Sequence, residues 1–90
     1  MVFGEVMWTE DSEAHIARHG VRPSEVEQAL YSRPRLTTAG REGTTLILGT
    51  TNDGRHLLVV VAEAADGRDF VVTARDMTDN EKRLFREMGR

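Results

Sequence analysis

Arg75 closes a β-branched run, VVTAR, and a helix carrying Lys82, Arg83 and Arg86 begins within a few residues, at Thr78. An arginine placed this way can hold an anion. Its planar guanidinium matches two phosphate oxygens, and a cluster of fixed cations neutralises the charge that builds on a phosphorane. His19 adds a side chain that titrates near neutral pH and can move a proton. Together these residue types describe a metal-free phosphodiester site. There the 2′-hydroxyl of RNA attacks the adjacent phosphate while the protein supplies charge and proton transfer. The plainer alternative is that Arg75 and Asp76 only make local hydrogen bonds where the helix starts. A cationic last helix also complements its own dipole, and such clusters are usually solvated faces.

Other chemistries find less support. His15 and His19 share a helix face, a spacing zinc uses, but the glutamate of an H-E-x-x-H site is missing and no third ligand is in place. The chain has no cysteine, so disulfides and thiolate metal sites are excluded and a reducing cytoplasm is the natural setting. No G-x-S-x-G elbow occurs, and GREGTT and TNDGRH lack the glycine spacing and lysine of a phosphate loop. Neither a metal nor an organic cofactor is expected.

The elements that must position Arg75 follow from pattern. Ninety residues make a single domain, residues 1–90, which buries only roughly 60% of the surface its unfolded chain exposes. The 39% apolar fraction suffices for one modest core. The longest apolar run, LLVVVA, is far too short to cross a bilayer, so no membrane partner is expected. The pI of about 5.6 is not that of a dedicated nucleic-acid binder. Charge is nevertheless uneven: residues 5–27 sum to −4, whereas residues 28–60, with Arg33, Arg35, Arg41 and Arg55, sum to +2.

VFGEVMW reads as a short first strand. TEDSEAHIARHG reads as a helix with acids in its first turn and Gly20 beyond its end. A second helix opens in VRPSEVEQALYSRP, with Ser24 and Glu27 as its capping box. The period then changes. TTLILGTT, RHLLVVVAEA and RDFVVTAR alternate as strands joined by NDG and ADG, where Asp-Gly predicts a two-residue hairpin turn with both residues at positive φ. The middle strand is apolar on both faces and should be central. A short extra strand is compatible with residues 35–38. The last helix starts at a second capping box, Thr78 with Glu81, and places Leu84, Phe85 and Met88 on one side for burial. The expected fold is α+β in the order β-α-α-β-β-β-α, an antiparallel meander with helices packed on it.

Several pieces together resemble the BrnT family, the toxin half of a bacterial type II toxin–antitoxin system. They are Trp8 before an acidic helix, RHGV with Glu25 in the next helix, GTTNDGRHLLVV, and TARDMTDNEKRLF. The likeness runs from about Trp8 to Met88 with the order kept. It implies a RelE-like fold and a cytoplasmic ribonuclease, a hydrolase that stops translation by cutting RNA, ribosome-associated RNA included. It also implies an antitoxin encoded nearby that carries a DNA-binding domain and masks the toxin. The matching positions are His19 and Gly20, then Thr73, Ala74 and Arg75, and finally Glu81 and Arg83. Arg75, Arg83 and His19 take the catalytic roles, and Lys82, Arg86 and Arg55 the RNA contacts. The chain departs from the family in its acidity and at Phe85, where a tyrosine is usual. These departures suit an alternative, a non-catalytic interaction module that binds a partner protein or RNA. Trp8 and Ile16 either join the chain's own core or are completed by another chain, an antitoxin or a second copy in a homodimer.

Overall fold

A computed structural model describes residues 6–88; residues 1–5, where most of the expected first strand falls, lie outside it. The elements are β1 (Val6–Met7), α1 (Glu10–Arg18), α2 (Pro23–Leu30), β2 (Leu36–Ala39), β3 (Thr44–Thr50), β4 (His56–Glu63), β5 (Asp69–Asp76) and α3 (Asp79–Met88). They form a small α+β domain with a five-stranded sheet in the order β1-β5-β4-β3-β2. β2 to β5 make the expected antiparallel meander, but β1 runs parallel to β5, pairing Val6 with Asp69. The sheet is therefore mixed, and β2 gives the order β-α-α-β-β-β-β-α in place of the shorter one. Two helices between β1 and β2 carry the chain from one sheet edge to the other. The first strand is expected, but its parallel pairing with a strand near the far end of the sequence has no periodicity to announce it.

Local chemistry sets the boundaries. Thr9 and Ser12 cap α1 reciprocally, Ser12 N donating to Thr9 Oγ1 at 3.0 Å and Thr9 N to Ser12 Oγ at 2.9 Å. Gly20, at φ 68°, ends the helix as expected. The N-cap of α2 is Arg22, two residues before the expected Ser24. Pro23 presets the first helical φ, so Glu25 becomes the third residue and accepts from Arg22 N at 3.0 Å. Glu27, freed from capping, accepts from Trp8 Nε1 at 3.4 Å.

The turns also depart from expectation. At NDG, Gly54 N donates to Thr51 O and Thr51 N to Arg55 O, both at 2.9 Å, and only Gly54 (φ 86°) is left-handed. That is a three-residue loop closed by a glycine bulge, and Ala64–Arg68 repeats it around Gly67. The two-residue turn with both φ positive occurs instead between β2 and β3, at Glu42 (φ 53°) and Gly43 (φ 78°).

The sheet separates two apolar clusters. Ile47, Leu57, Val59, Val61, Val71 and Ala74 meet Ile16 of α1 and Val26, Ala29 and Leu30 of α2 on one face, with Trp8 packed against them. Leu48 and Leu58 meet Met77 and Phe85 on the other. β4 thus has the two-sided burial its sequence predicts. The second face is only partly covered, because α3 turns a single side chain, Phe85, fully inward. Leu84 and Met88, expected in the core, are 44% and 54% exposed. Beyond α3, Val60 and Ala62 stay half-buried.

Candidate functional site

The end of β5 sorts the charged residues. Arg75 pairs in register with Leu58, on the α3 face, and Asp76 with Leu57, on the α1–α2 face. Pleating therefore sends these adjacent side chains in opposite directions.

On the α3 face, Arg75 Nη1 donates to Glu81 Oε1 at 2.8 Å and Nη2 to Glu81 Oε2 at 3.0 Å. Nη1 also reaches the Asp76 carbonyl at 3.0 Å. Glu81 Oε1 closes the α3 capping box by accepting from Thr78 N at 2.8 Å, and Thr78 Oγ1 accepts from Glu81 N at 3.2 Å. The Arg75 hydrogen bond holds the Glu81 carboxyl below its ordinary value, with the Thr78 amide assisting against desolvation. Glu81 in turn raises Arg75. The arginine that closes VVTAR is thus tied to the first turn of the helix it precedes.

Beside this pair lies a cleft of about 630 Å³ over the sheet that α3 leaves open. Leu46, Leu58 and Val60 line it together with Arg41 and Thr44 of the β2–β3 hairpin and with Arg75 and Glu81. An apolar floor with convergent cations fits a ligand that has both an uncharged body and an anionic group.

On the opposite face Arg55 joins three elements. Its Nε and Nη2 donate to Asp76 at 2.7 and 3.1 Å, and its Nη1 to Gly20 O at 2.9 Å and to both Glu25 oxygens at 3.3 Å. Nη2 also reaches His19 O at 3.4 Å. The Arg55 bond is the largest cause of a lowered Asp76 carboxyl, with the charges of Lys82 and His19 adding to it.

The residues expected to act together are therefore divided. Among the expected site residues only Arg75 lines the cleft. His19 lies with Arg55 and Asp76 on the helical side, and Lys82 is near enough to Asp76 to lower it. Arg83 and Arg86 sit exposed on the outer side of α3 and make no ion pair among the described residues. Arg55, expected to touch RNA, has its five N–H groups engaged by the protein itself. Sequence reasoning counted Arg41 only toward the basic balance of residues 28–60 and passed over Thr44, because GREGTT was weighed as a site only for its likeness to a phosphate loop. It also passed over His56, whose ring meets Phe85 edge-on at 5.7 Å. No three histidine, aspartate or glutamate side chains group as a metal site among the described residues.

No protein-family model matches the sequence, and a search of curated proteins finds no match.

Proposed function

We propose that this chain is a metal-independent endoribonuclease of the BrnT toxin type, held in check by an antitoxin encoded nearby. One observation carries the reading: Arg75 lines an open, partly apolar cleft with a second cation, Arg41, across the same space. A phosphodiester seated there would present two oxygens to the Arg75 fork while its base lies over Leu46 and Val60. The 2′-hydroxyl gives its proton to water as its oxygen attacks phosphorus, and the 5′-oxygen leaves with a proton from water, giving a 2′,3′-cyclic phosphate and a 5′-hydroxyl. Arg75 stabilises the charge that peaks between these states.

The test is purified protein on RNA, together with growth and RNA integrity after induction. Arg75→Ala should lose roughly a hundred- to a thousandfold in cleavage and leave the fold intact. Arg75→Lys should rescue poorly because an ammonium lacks the two-pronged match to phosphate. Wild-type protein that neither arrests growth nor cuts RNA would overturn the reading.

A second reading, a binding module on the same scaffold, is favoured by a separate observation. Phe85, at the position where the resemblance places a tyrosine, is 6% exposed and packed against His56, so no phenol stands at the cleft. Saturable binding of RNA or of the neighbouring gene product, without cleavage, would favour this module.

A further inference from the structure

We infer that Glu81 is a built-in substitute for phosphate: a phosphodiester takes the Arg75 fork only as the Glu81 carboxylate leaves it. The inference rests on the cleft being an RNA site, and it holds whether or not the RNA is cut.

The bidentate contact, at 2.8 and 3.0 Å, is the geometry in which a guanidinium receives two phosphate oxygens. Both partners line the cleft, and their side chains are 37% and 25% exposed, so an incoming anion reaches the fork from solvent. Each partner also keeps a second contact. Glu81 retains Thr78 N at the positive end of α3, and Arg75 retains the Asp76 carbonyl, so separating them orphans neither.

Arg55 shows what a locked fork looks like. It is held by two carboxylates and two carbonyls from three elements, so each arm of its fork is already engaged. Arg75 has one carboxylate, on one neighbouring helix turn. Among the described residues Arg41 makes no ion pair, and it lines the same cleft, so releasing Glu81 leaves two cations in one lining for the phosphates of one strand. Two cations over an apolar floor suit a nucleic-acid backbone, with its repeated phosphates and its bases, better than a single carboxylate.

The experiment measures binding of a fluorescein-labelled 2′-O-methyl oligoribonucleotide, which lacks the attacking hydroxyl, by anisotropy at low salt. Glu81→Gln removes the competing charge but keeps an acceptor for Thr78 N, and should bind at least about tenfold tighter than wild type, the worth of one charge-assisted contact. In an Arg75→Ala background the same substitution should change nothing. Should Glu81→Gln fail to fold, wild-type protein gives the answer, because the Glu81 carboxyl carbon resonance should move as oligonucleotide is titrated in. Equal or weaker binding by Glu81→Gln, a gain that persists without Arg75, or an unmoved Glu81 resonance would overturn the exchange. So would a polyglutamate peptide that gains as much as the oligonucleotide, since the occupant would then be an acidic protein. RNA cleavage by wild type with no tightening in Glu81→Gln would sink the exchange and leave the nuclease standing. Tightening without any cleavage would do the reverse.

Discussion

Arg75 and Asp76 are consecutive in the chain, yet their charged ends serve opposite faces of the sheet, one joined to Glu81 of α3 and the other to Arg55. One face carries a contact open to solvent beside a cleft, and the other a clamp that binds helices to strands. Substitutions at the two arginines should therefore fail differently, Arg75 in ligand binding and Arg55 in stability.

Arg55→Ala should lower unfolding free energy by about 1–2 kcal/mol, the worth of a few charge-assisted hydrogen bonds reduced for the 59% exposure of its main partner Asp76. Arg55→Lys should recover little, because one ammonium cannot span Asp76, Glu25 and the Gly20 carbonyl together. Urea denaturation measures both. A variant as stable as wild type would remove the clamp from the account.

Acid should expose the same contacts. Glu25, Asp76 and Glu81 are all held below their ordinary values of 4.5, 3.8 and 4.5: Glu25 chiefly by the Arg22 amide, Asp76 by Arg55, Glu81 by Arg75. As pH falls, the unfolded chain takes up protons first. The stability these groups give is thus complete above about pH 4.5 and is lost as pH drops through the lower folded values. The urea midpoint should fall below about pH 4.5, and less steeply in Arg55→Ala, where Asp76 loses its main partner. A midpoint that rises on acidification would contradict the cited pairings.

Much of this architecture could be read from residue order. The two-sided LLVVVA strand, the acidic start and glycine end of α1, and the Thr78–Glu81 cap are local patterns, and each appears where its pattern puts it. Partnership across the fold was not local. The parallel pairing of β1 depends on β5, and the cleft depends on how little of the sheet α3 covers. The division of His19 from Arg75 follows from pleating at β5, which no spacing in the sequence records.

Gly49 marks a close approach of α2 to the sheet. A Cβ there would strike the Ala29 carbonyl and lie 2.8 Å from Ser32 Oγ, which itself donates to Ala29 O and accepts from Thr50 N at 3.1 Å. Gly49→Ala should cost about 1–3 kcal/mol, although alanine restricts the unfolded chain more. A melting temperature equal to or above wild type would show that α2 moves aside freely.

Phe85 provides the sharpest separation of packing from chemistry. Its ring fills the second cluster with Leu48, Leu58 and Met77, while Leu84 beside it faces solvent. Phe85→Ala should cost about 3–5 kcal/mol, and Leu84→Ala no more than about 0.5 kcal/mol. Restoring the phenol of the resembling family tests the chemistry. In Phe85→Tyr the hydroxyl enters an apolar cluster and costs about 1–3 kcal/mol where it finds no partner. Phe85 does not line the cleft, so this hydroxyl should add nothing to RNA cleavage. Denaturation curves and a cleavage assay on the same preparations decide it. Faster cleavage by Phe85→Tyr at undiminished stability would mean that the ring edge reaches the reacting phosphate, and the cleft would have to be redrawn around α3.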